Sequence, residues 1–195
     1  MREIRNLFLI VEGPDNVGKS TLINNLNNYY NKITLHNLHY SNVKQENAAE
    51  VIKHNKKLYT EMFELMTFTL KNDKAGLIFD RSHLGEMVYG NIYRSYTGDY
   101  VLDIEKKFHH ILDIFENLFL ITLVDEPENL ISREDGLSFS TDLDKKQREL
   151  ELFDLAHNSS SISSISNKLI INIKDKDAEA VFKEVTEFID SKYNS

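Results

Sequence analysis

The sequence has no cysteine, no tryptophan and only two prolines among its 195 residues, and it has no long apolar run. Without cysteine the chain can form no disulfide and has no thiol nucleophile, which suits a reducing compartment. A membrane-spanning helix needs about 20 consecutive apolar residues, so we expect no membrane partner. Residues 1–5 also lack the pattern of a secretory signal. We therefore expect a cytoplasmic protein.

The charge balance limits the classes of partner. The formal net charge is −8, whereas a protein that binds duplex nucleic acid needs a basic surface. We expect no duplex nucleic acid partner, but a small anionic substrate is compatible with local cationic groups. Hydrophobic residues make up 41% of the chain, enough for a packed core, and the length suits a single domain, 1–195.

The segment from Leu7 to Thr21 carries the strongest signal in the chain. An apolar run, Leu7 to Val11, predicts a buried strand, and it leads into Gly-Pro-Asp-Asn-Val-Gly-Lys-Ser, a complete G-x-x-x-x-G-K-[ST] phosphate loop. Such a loop directs backbone N–H groups at phosphate oxygens, with a lysine for the β- and γ-phosphates and a serine for Mg²⁺. The expected nucleotide contacts are Gly13, Asn16, Val17, Gly18, Lys19, Ser20 and Thr21.

Further strand-like runs alternate with helical patterns along the chain. Strands are predicted at Leu7 to Val11, Ile33 to Tyr40, Leu77 to Phe79, Phe119 to Val124 and Leu169 to Ile173, with a long helix from about Ala48 to Lys71. This alternation is typical of a parallel sheet covered by helices on both faces. The predicted fold class is α/β, a three-layer P-loop NTPase fold with a five-stranded parallel sheet.

Asp80 and Arg81 directly follow the third predicted strand. Ligands of parallel α/β sheets bind at the carboxyl ends of the strands, so these two side chains are functional candidates. The aspartate would hold Mg²⁺ through water, and the arginine would bind a second phosphate with two hydrogen bonds. A surface ion pair, or a helix N-cap by Asp80, is the alternative. The histidines lack metal-ligand spacing.

These motifs resemble those of the thymidylate kinase group of nucleoside monophosphate kinases. Glu12-Gly13-Pro14-Asp15 is similar to that family's strand-to-loop entry, where an acidic residue faces the sugar of the acceptor nucleotide. Asp80-Arg81-Ser82 is similar to its Asp-Arg-Tyr signature. Tyr89 matches an aromatic residue that packs in the family against the 2′ carbon of deoxyribose, which disfavours ribonucleotides.

The resemblance extends more weakly over almost the whole chain. It implies that Arg133 lies near the adenine of ATP, that Lys44 meets the acceptor phosphate, and that Phe63 or Tyr59 stacks on the acceptor base. It also implies a flexible lid at about residues 133–148. Because homodimers are common in the family, a homodimer is a candidate assembly.

One departure from the family bears on the chemistry. The family supplies an arginine to the transferring phosphoryl group from the phosphate loop or from the lid. Here the loop has Asn16, and residues 134–144 contain no lysine or arginine. Lys145, Lys146 or Arg148 would have to replace the missing arginine, and lysine lacks its planar fork.

The sequence thus predicts a kinase that transfers phosphate from MgATP to a deoxynucleoside 5′-monophosphate, with dTMP as the leading candidate. The expected catalytic residues are Lys19, Asp15, Arg81 and Asp80. The expected acceptor contacts are Asp15, Lys44, Phe63, Arg81 and Tyr89, and the expected metal ligands are Ser20 and Asp80.

Two other functions stay open at this point. Because of Ser82, the Asp-Arg-Ser motif is intermediate between two signatures. One is the Asp-Arg-Tyr of the thymidylate kinase group, and the other is the Glu-Arg-Ser of deoxynucleoside kinases, which phosphorylate the free 5′-hydroxyl. Such an enzyme would need a carboxylate base near the end of the second strand, and residues 33–42 contain none. A nucleotide-dependent switch is the other alternative, but the chain lacks the Asn-Lys-x-Asp guanine signature.

Replacement of Lys19 tests the assignment of the phosphate loop. We expect Lys19→Ala to lower turnover by orders of magnitude and to leave the fold intact, because the ammonium group acts on a phosphate of the ligand. Coupled ADP release measures turnover, and circular dichroism measures the fold. Normal turnover in a folded variant would contradict the mechanism.

Overall fold

Strands and helices alternate in the computed structural model, which describes residues 4, 6–36, 47–72, 76–136, 138–162 and 167–193. The strands are β1 (Phe8–Glu12), β2 (Ile33–His36), β3 (Leu77–Asp80), β4 (Leu118–Val124) and β5 (Lys168–Asn172). The helices are α1 (Lys19–Tyr30), α2 (Ala48–Asn72), α3 (Gly85–Tyr93), α4 (Tyr100–Phe108), α5 (Leu112–Asn117), α6 (Pro127–Ser132), α7 (Leu143–Ser159) and α8 (Ala178–Tyr193).

The strands form a parallel sheet with the order β2-β3-β1-β4-β5. β1 lies at the centre, and all of its side chains are buried because helices cover both faces of the sheet. The register pairs Val11 with Asp80 of β3 and with Ile121 of β4. The carboxyl ends of these three strands therefore lie side by side. The predicted α/β class with a parallel sheet and flanking helices is confirmed.

The core lies on both faces of the sheet. Leu9 and Val11 pack with residues of α1 and α8, whereas Phe8 and Ile10 pack with residues of α2 and α4. This division follows from the strand itself, because successive side chains point to opposite faces. Full burial of one such side chain stabilises the fold by about 1.5–3 kcal/mol.

No helix among the described residues has both the length and the apolar character needed to cross a membrane.

Element boundaries follow the sequence pattern closely in some places and less closely in others. The long helix predicted from Ala48 is α2, and the predicted strand that begins at Leu77 is β3. The second strand is described only to His36, and residues 37–40 lie outside the described residues. The chain between β3 and β4 forms three helices, α3, α4 and α5, because the backbone turns between them.

Gly98, in the turn between α3 and α4, allows this division. A Cβ atom at Gly98 would lie 2.3 Å from the carbonyl oxygen of Glu86, which belongs to the rigid backbone of α3. Only a glycine permits such a close approach of two backbone segments. The turn therefore holds α4 against the first residues of α3.

We expect Gly98→Ala to destabilise the protein by about 1–3 kcal/mol, because backbone atoms must move to accept the methyl group. Gly85→Ala is the matched control, since its nearest heavy atom would lie 3.6 Å away and belongs to a side chain. That variant should change stability by no more than about 1 kcal/mol. Urea denaturation of both variants measures the difference, and equal midpoints would contradict the close approach.

Candidate active site

The phosphate loop connects β1 to α1 through backbone conformations that need glycine. Gly13 has φ +138°, and a Cβ atom there would lie 2.4 Å from the carbonyl oxygen of Leu123. Gly18 has φ +87° and precedes the first residue of α1. Asn16 also has a positive φ of 64°, which asparagine tolerates better than most residues. The loop therefore turns sharply at the carboxyl edge of the sheet.

Lys19 is buried at the start of α1 and folds back over this loop. Its Nζ atom donates to the carbonyl oxygens of Gly13 at 3.0 Å and Pro14 at 2.5 Å. Burial, and then the positive charge of Arg81, lower the pKa of Lys19 to about 7. The negative charges of Asp15 and Asp80 oppose this lowering of the pKa. Groups of both signs therefore act on the ammonium group.

Arg81 joins three parts of the site. Its backbone has φ 67°, and its backbone N–H donates to the carbonyl oxygen of Val11 at 3.0 Å. One guanidinium nitrogen donates to the Gly13 carbonyl at 3.3 Å and to the Tyr89 hydroxyl at 3.1 Å, and the other pairs with Asp15. Burial works against the charge of Arg81, but the pKa of the guanidinium is raised by Tyr89 and Asp15. The structure thus brings together Lys19, Asp15, Arg81 and Tyr89.

Glu12 fixes the turn on which Arg81 lies. Its buried Oε1 atom accepts from the backbone N–H of Ser82 at 2.8 Å and from the Ser82 hydroxyl at 2.9 Å. Burial raises the pKa of Glu12, whereas the positive charge of Arg81 lowers it, and the net direction is upward. The Oε2 atom has no hydrogen-bond partner among the described residues. The sequence analysis assigned no role to this carboxylate.

A cleft beside Arg81 contains a buried ion pair that the sequence analysis also missed. The cleft is narrow, without space for a water molecule, and is lined by Arg81, Ser82, Gly85, Glu86, Tyr89 and Arg94. Glu86 is 1% exposed, and its carboxylate accepts from Arg94 at 2.9 Å and from the hydroxyl of Tyr96. Removing the charges of Glu86 and Arg94 from water costs free energy, so a contribution to stability alone does not explain the pair. The sequence signal that could have found the pair is a glutamate among apolar residues of a helix.

The expected magnesium ligands lie at the same edge of the sheet. Ser20 is the second residue of α1 and is exposed, and Asp80 ends β3. No group of three or more metal-ligating His, Cys, Asp or Glu side chains occurs in the part of the chain that the structure describes. Ser20 and Asp80 carry oxygen atoms, which are the ligands that Mg²⁺ prefers, and their role as metal ligands stays a prediction.

A second, largely apolar pocket of about 170 Å³ lies on the other side of the phosphate loop. Its lining comes from the loop and α1 (Val17, Gly18, Thr21, Leu22), from Leu123, and from residues before and in α8 (Ile173, Lys176, Asp177, Ala178, Val181). Arg133, whose place near adenine stays a prediction, donates to the carbonyl oxygen of Asn16 at 3.3 Å and pairs with Asp125. The guanidinium thus lies against the phosphate loop.

Residues 133–142, between α6 and α7, form a segment that we call the lid segment. The Asn16 side chain donates to Glu134 at 3.2 Å and to the hydroxyl of Ser138 at 3.0 Å. Phe139 stacks on Tyr93 of α3, with ring centroids 5.0 Å apart. The segment therefore contacts both the phosphate loop and the helix that carries Tyr89.

The structure separates the three basic residues that could face the phosphoryl group. Lys146 is fully buried, and its Nζ lies 3.2 Å from Glu149. Lys145 lies over the ring of Tyr93, with Nζ 5.9 Å from the centroid. Arg148 is half exposed and pairs with Glu151. Of these three basic residues, Lys146 is the one that is fully buried.

Of the expected acceptor contacts, Phe63 lies in the core and Lys44 is not among the described residues. Phe63 is fully buried in the core, where its ring stacks on Phe108 and Phe115 and meets His83 edge to face. Lys44 lies outside the described residues. Tyr59, the alternative to Phe63, is buried too, and its hydroxyl has no hydrogen-bond partner among the described residues.

Comparison by sequence finds no relative: no protein-family model matches the chain, and no curated protein matches it. Comparison by structure finds close folds. The YorR protein of Bacillus subtilis, solved in complex with phosphorylated GDP, is 14% identical, with a TM-score of 0.67, covering 96% of this chain and 98% of that one. Thymidylate kinase from Candida albicans is 13% identical, with a TM-score of 0.61, covering 97% and 93%.

At these identities the likeness concerns the fold alone. Both alignments extend over nearly the whole length of each chain. The chain has a thymidylate kinase-like P-loop fold.

Proposed function

We propose that the protein is a kinase that transfers the γ-phosphoryl group of ATP to a deoxynucleoside 5′-monophosphate, with dTMP as the leading candidate. The observation that carries this proposal is the arrangement around Arg81. One guanidinium nitrogen reaches both the Gly13 carbonyl of the phosphate loop and the Tyr89 hydroxyl on α3. A donor phosphate on the loop and an acceptor phosphate beside Tyr89 would therefore meet at this cation.

The donor nucleotide is supported by the loop and the apolar pocket beside it. The triphosphate would draw Lys19 away from the carbonyl oxygens of Gly13 and Pro14, because phosphate is the stronger acceptor. The pocket of about 170 Å³ lined by Thr21 and Val181 has room for a planar base. Mg²⁺, held by Ser20 and through water by Asp80, would neutralise charge on the phosphates.

The acceptor nucleotide is supported by the polar side chains that line the narrow cleft beside Tyr89, which would have to open to admit it. Asp15 is placed to accept from a sugar hydroxyl, and Arg81 to bind the 5′-phosphate. Beyond them, Glu86 offers hydrogen-bond acceptors and Arg94 offers donors. A base edge that carries both an N–H group and a carbonyl oxygen, as thymine and guanine do, complements such a pair. The YorR neighbour was itself solved with a guanine nucleotide.

The transfer needs positioning and charge neutralisation more than proton transfer. An ionised oxygen of the acceptor phosphate attacks the γ-phosphorus, a new P–O bond forms, and the bond to the leaving ADP breaks. No proton has to be removed from that oxygen. Lys19 and Arg81 would balance the growing charge, and Lys146 is the buried cation that α7 adds from the lid side.

Phosphorylation of a free deoxynucleoside is the second candidate, and one observation favours it. A 5′-hydroxyl needs a base, and the buried carboxylate of Glu12 has a raised pKa and an unpartnered Oε2 atom. That atom would lie 3.6 Å from a Cβ at Gly85, a residue that lines the acceptor cleft. A carboxylate with a raised pKa is a stronger proton acceptor for a substrate hydroxyl.

A substrate panel separates these two candidates. We expect MgATP to be turned over with one or more deoxynucleoside monophosphates, more slowly with the matching ribonucleotides, and not with free deoxynucleosides. Coupled ADP release measures each rate. Turnover restricted to free deoxynucleosides would move the protein to the second candidate, and no turnover across the panel would contradict both.

The lowered pKa of Lys19 predicts how nucleotide affinity depends on pH. Above about pH 7 the free protein holds a neutral Lys19, whereas the bound phosphates favour its charged form. Binding then takes up one proton, so the Kd of ATP should rise up to about tenfold per pH unit between about pH 7.5 and 9.5. Calorimetric titration measures this slope. Lys19→Ala should bind more weakly without the slope, and an equal slope in that variant would contradict the assignment.

A further inference from the structure

The lid segment has one cation, Arg133 at its first position, where the guanidinium contacts the phosphate loop. Residues 134–144 contain no lysine or arginine, but they include Glu134, Asp135, Asp142 and Asp144. Carboxylates repel bound phosphates, and this repulsion acts strongly over the few ångströms of a closed site. Hydrogen bonds with Asn16 hold one side of the segment at the phosphate loop, and its other side has a contact that needs no charge.

Phe139 makes that contact on the acceptor side. Its ring centroid lies 5.0 Å from that of Tyr93 with the planes 24° apart, and 5.4 Å from that of Tyr89 with the planes 36° apart. We call these three rings the aromatic stack. Phe139 is 46% exposed, whereas Tyr89 is only 4% exposed. The phenylalanine therefore lies as a cover on rings that belong to the body of the fold.

Hydrogen bonds link the aromatic stack to two cations, directly to Arg81 and through Glu149 to Lys146. The Tyr89 hydroxyl accepts from Arg81 at 3.1 Å. The Tyr93 hydroxyl donates to Glu149 at 2.5 Å, and Glu149 in turn binds Lys146. Phe139 covers the two tyrosine rings on which these hydrogen bonds depend.

We propose that Phe139 is a positioning residue, which closes the lid segment by stacking on Tyr89 and Tyr93 and thereby orients Arg81 for the acceptor. The kinetic part of this proposal rests on the proposed function. Closure by ring stacking needs no positive charge, so it explains how an acidic segment can stay over a phosphate site. Ring pairs of this geometry also exclude water from one side of the acceptor cleft.

Hydrogen exchange tests the closure without any substrate. In the free protein, we expect Phe139→Ala to speed amide exchange of residues 134–142 about tenfold, because two ring pairs are lost. Phe139→Trp should exchange at the wild-type rate. Leu143→Ala is the matched control, since Leu143 is also 46% exposed and lies just after the segment. It should leave the rate unchanged. Unchanged exchange in Phe139→Ala would overturn the proposal, whatever the protein phosphorylates.

Steady-state kinetics test the positioning role on the best acceptor of the panel. We expect Phe139→Ala to raise the acceptor KM about tenfold, to lower kcat far less, and to raise ATP hydrolysis relative to transfer. Phe139→Trp should restore both values, and Leu143→Ala should not change them. An unchanged KM and an unchanged hydrolysis ratio would overturn the proposal. If no acceptor turns over, the proposed function fails, and hydrogen exchange alone decides on the closure.

Discussion

The buried carboxylate of Glu12 connects two strand ends that are 70 residues apart in sequence, because it accepts both hydrogen bonds offered by Ser82. Hydrogen bonds to a buried carboxylate are worth about 1.5–3 kcal/mol each, and here they decide where the chain turns after β3. Arg81, next to the anchored serine, takes a left-handed backbone conformation. Its guanidinium then reaches Asp15, the Gly13 carbonyl and Tyr89. The geometry of the candidate site depends on this one anchor.

An acidic protein can hold anions here because its cations are concentrated at one edge of the sheet. The net charge is −8, yet Lys19 and Arg81 lie together at the phosphate loop, and Arg133 contacts the same loop. The two arginines already have carboxylate partners, Asp15 and Asp125. These ion pairs hold the guanidinium groups in position before any ligand arrives. A bound phosphate would then replace the carboxylates as acceptor of the guanidinium hydrogen bonds. Such preorganised charges need little rearrangement during the reaction.

Most of the local elements could be predicted, because their signals are short in sequence. The phosphate loop follows from eight neighbouring residues, and each strand next to it follows from a run of apolar residues. Asp80 and Arg81 were found from their position at a strand end, since parallel strands carry their ligands there. The role of Phe63 is hard to predict for a physical reason. An aromatic residue on the apolar face of a helix has the same sequence pattern whether it touches a ligand or, as here, stacks inside the core on Phe108 and Phe115.

The sequence by itself determined the fold class, the phosphate loop and the candidate reaction, because spacing and hydrophobic periodicity are properties of neighbouring residues. Only the tertiary structure decided which distant residues meet. The parallel register brings Val11 beside Asp80, the fold pairs Glu86 with Arg94 in a buried cleft, and the connection between α6 and α7 brings Phe139 onto Tyr89. Contacts such as the one between Phe139 and Tyr89 depend on how helices and loops pack around the sheet, and no local pattern in the chain records that packing.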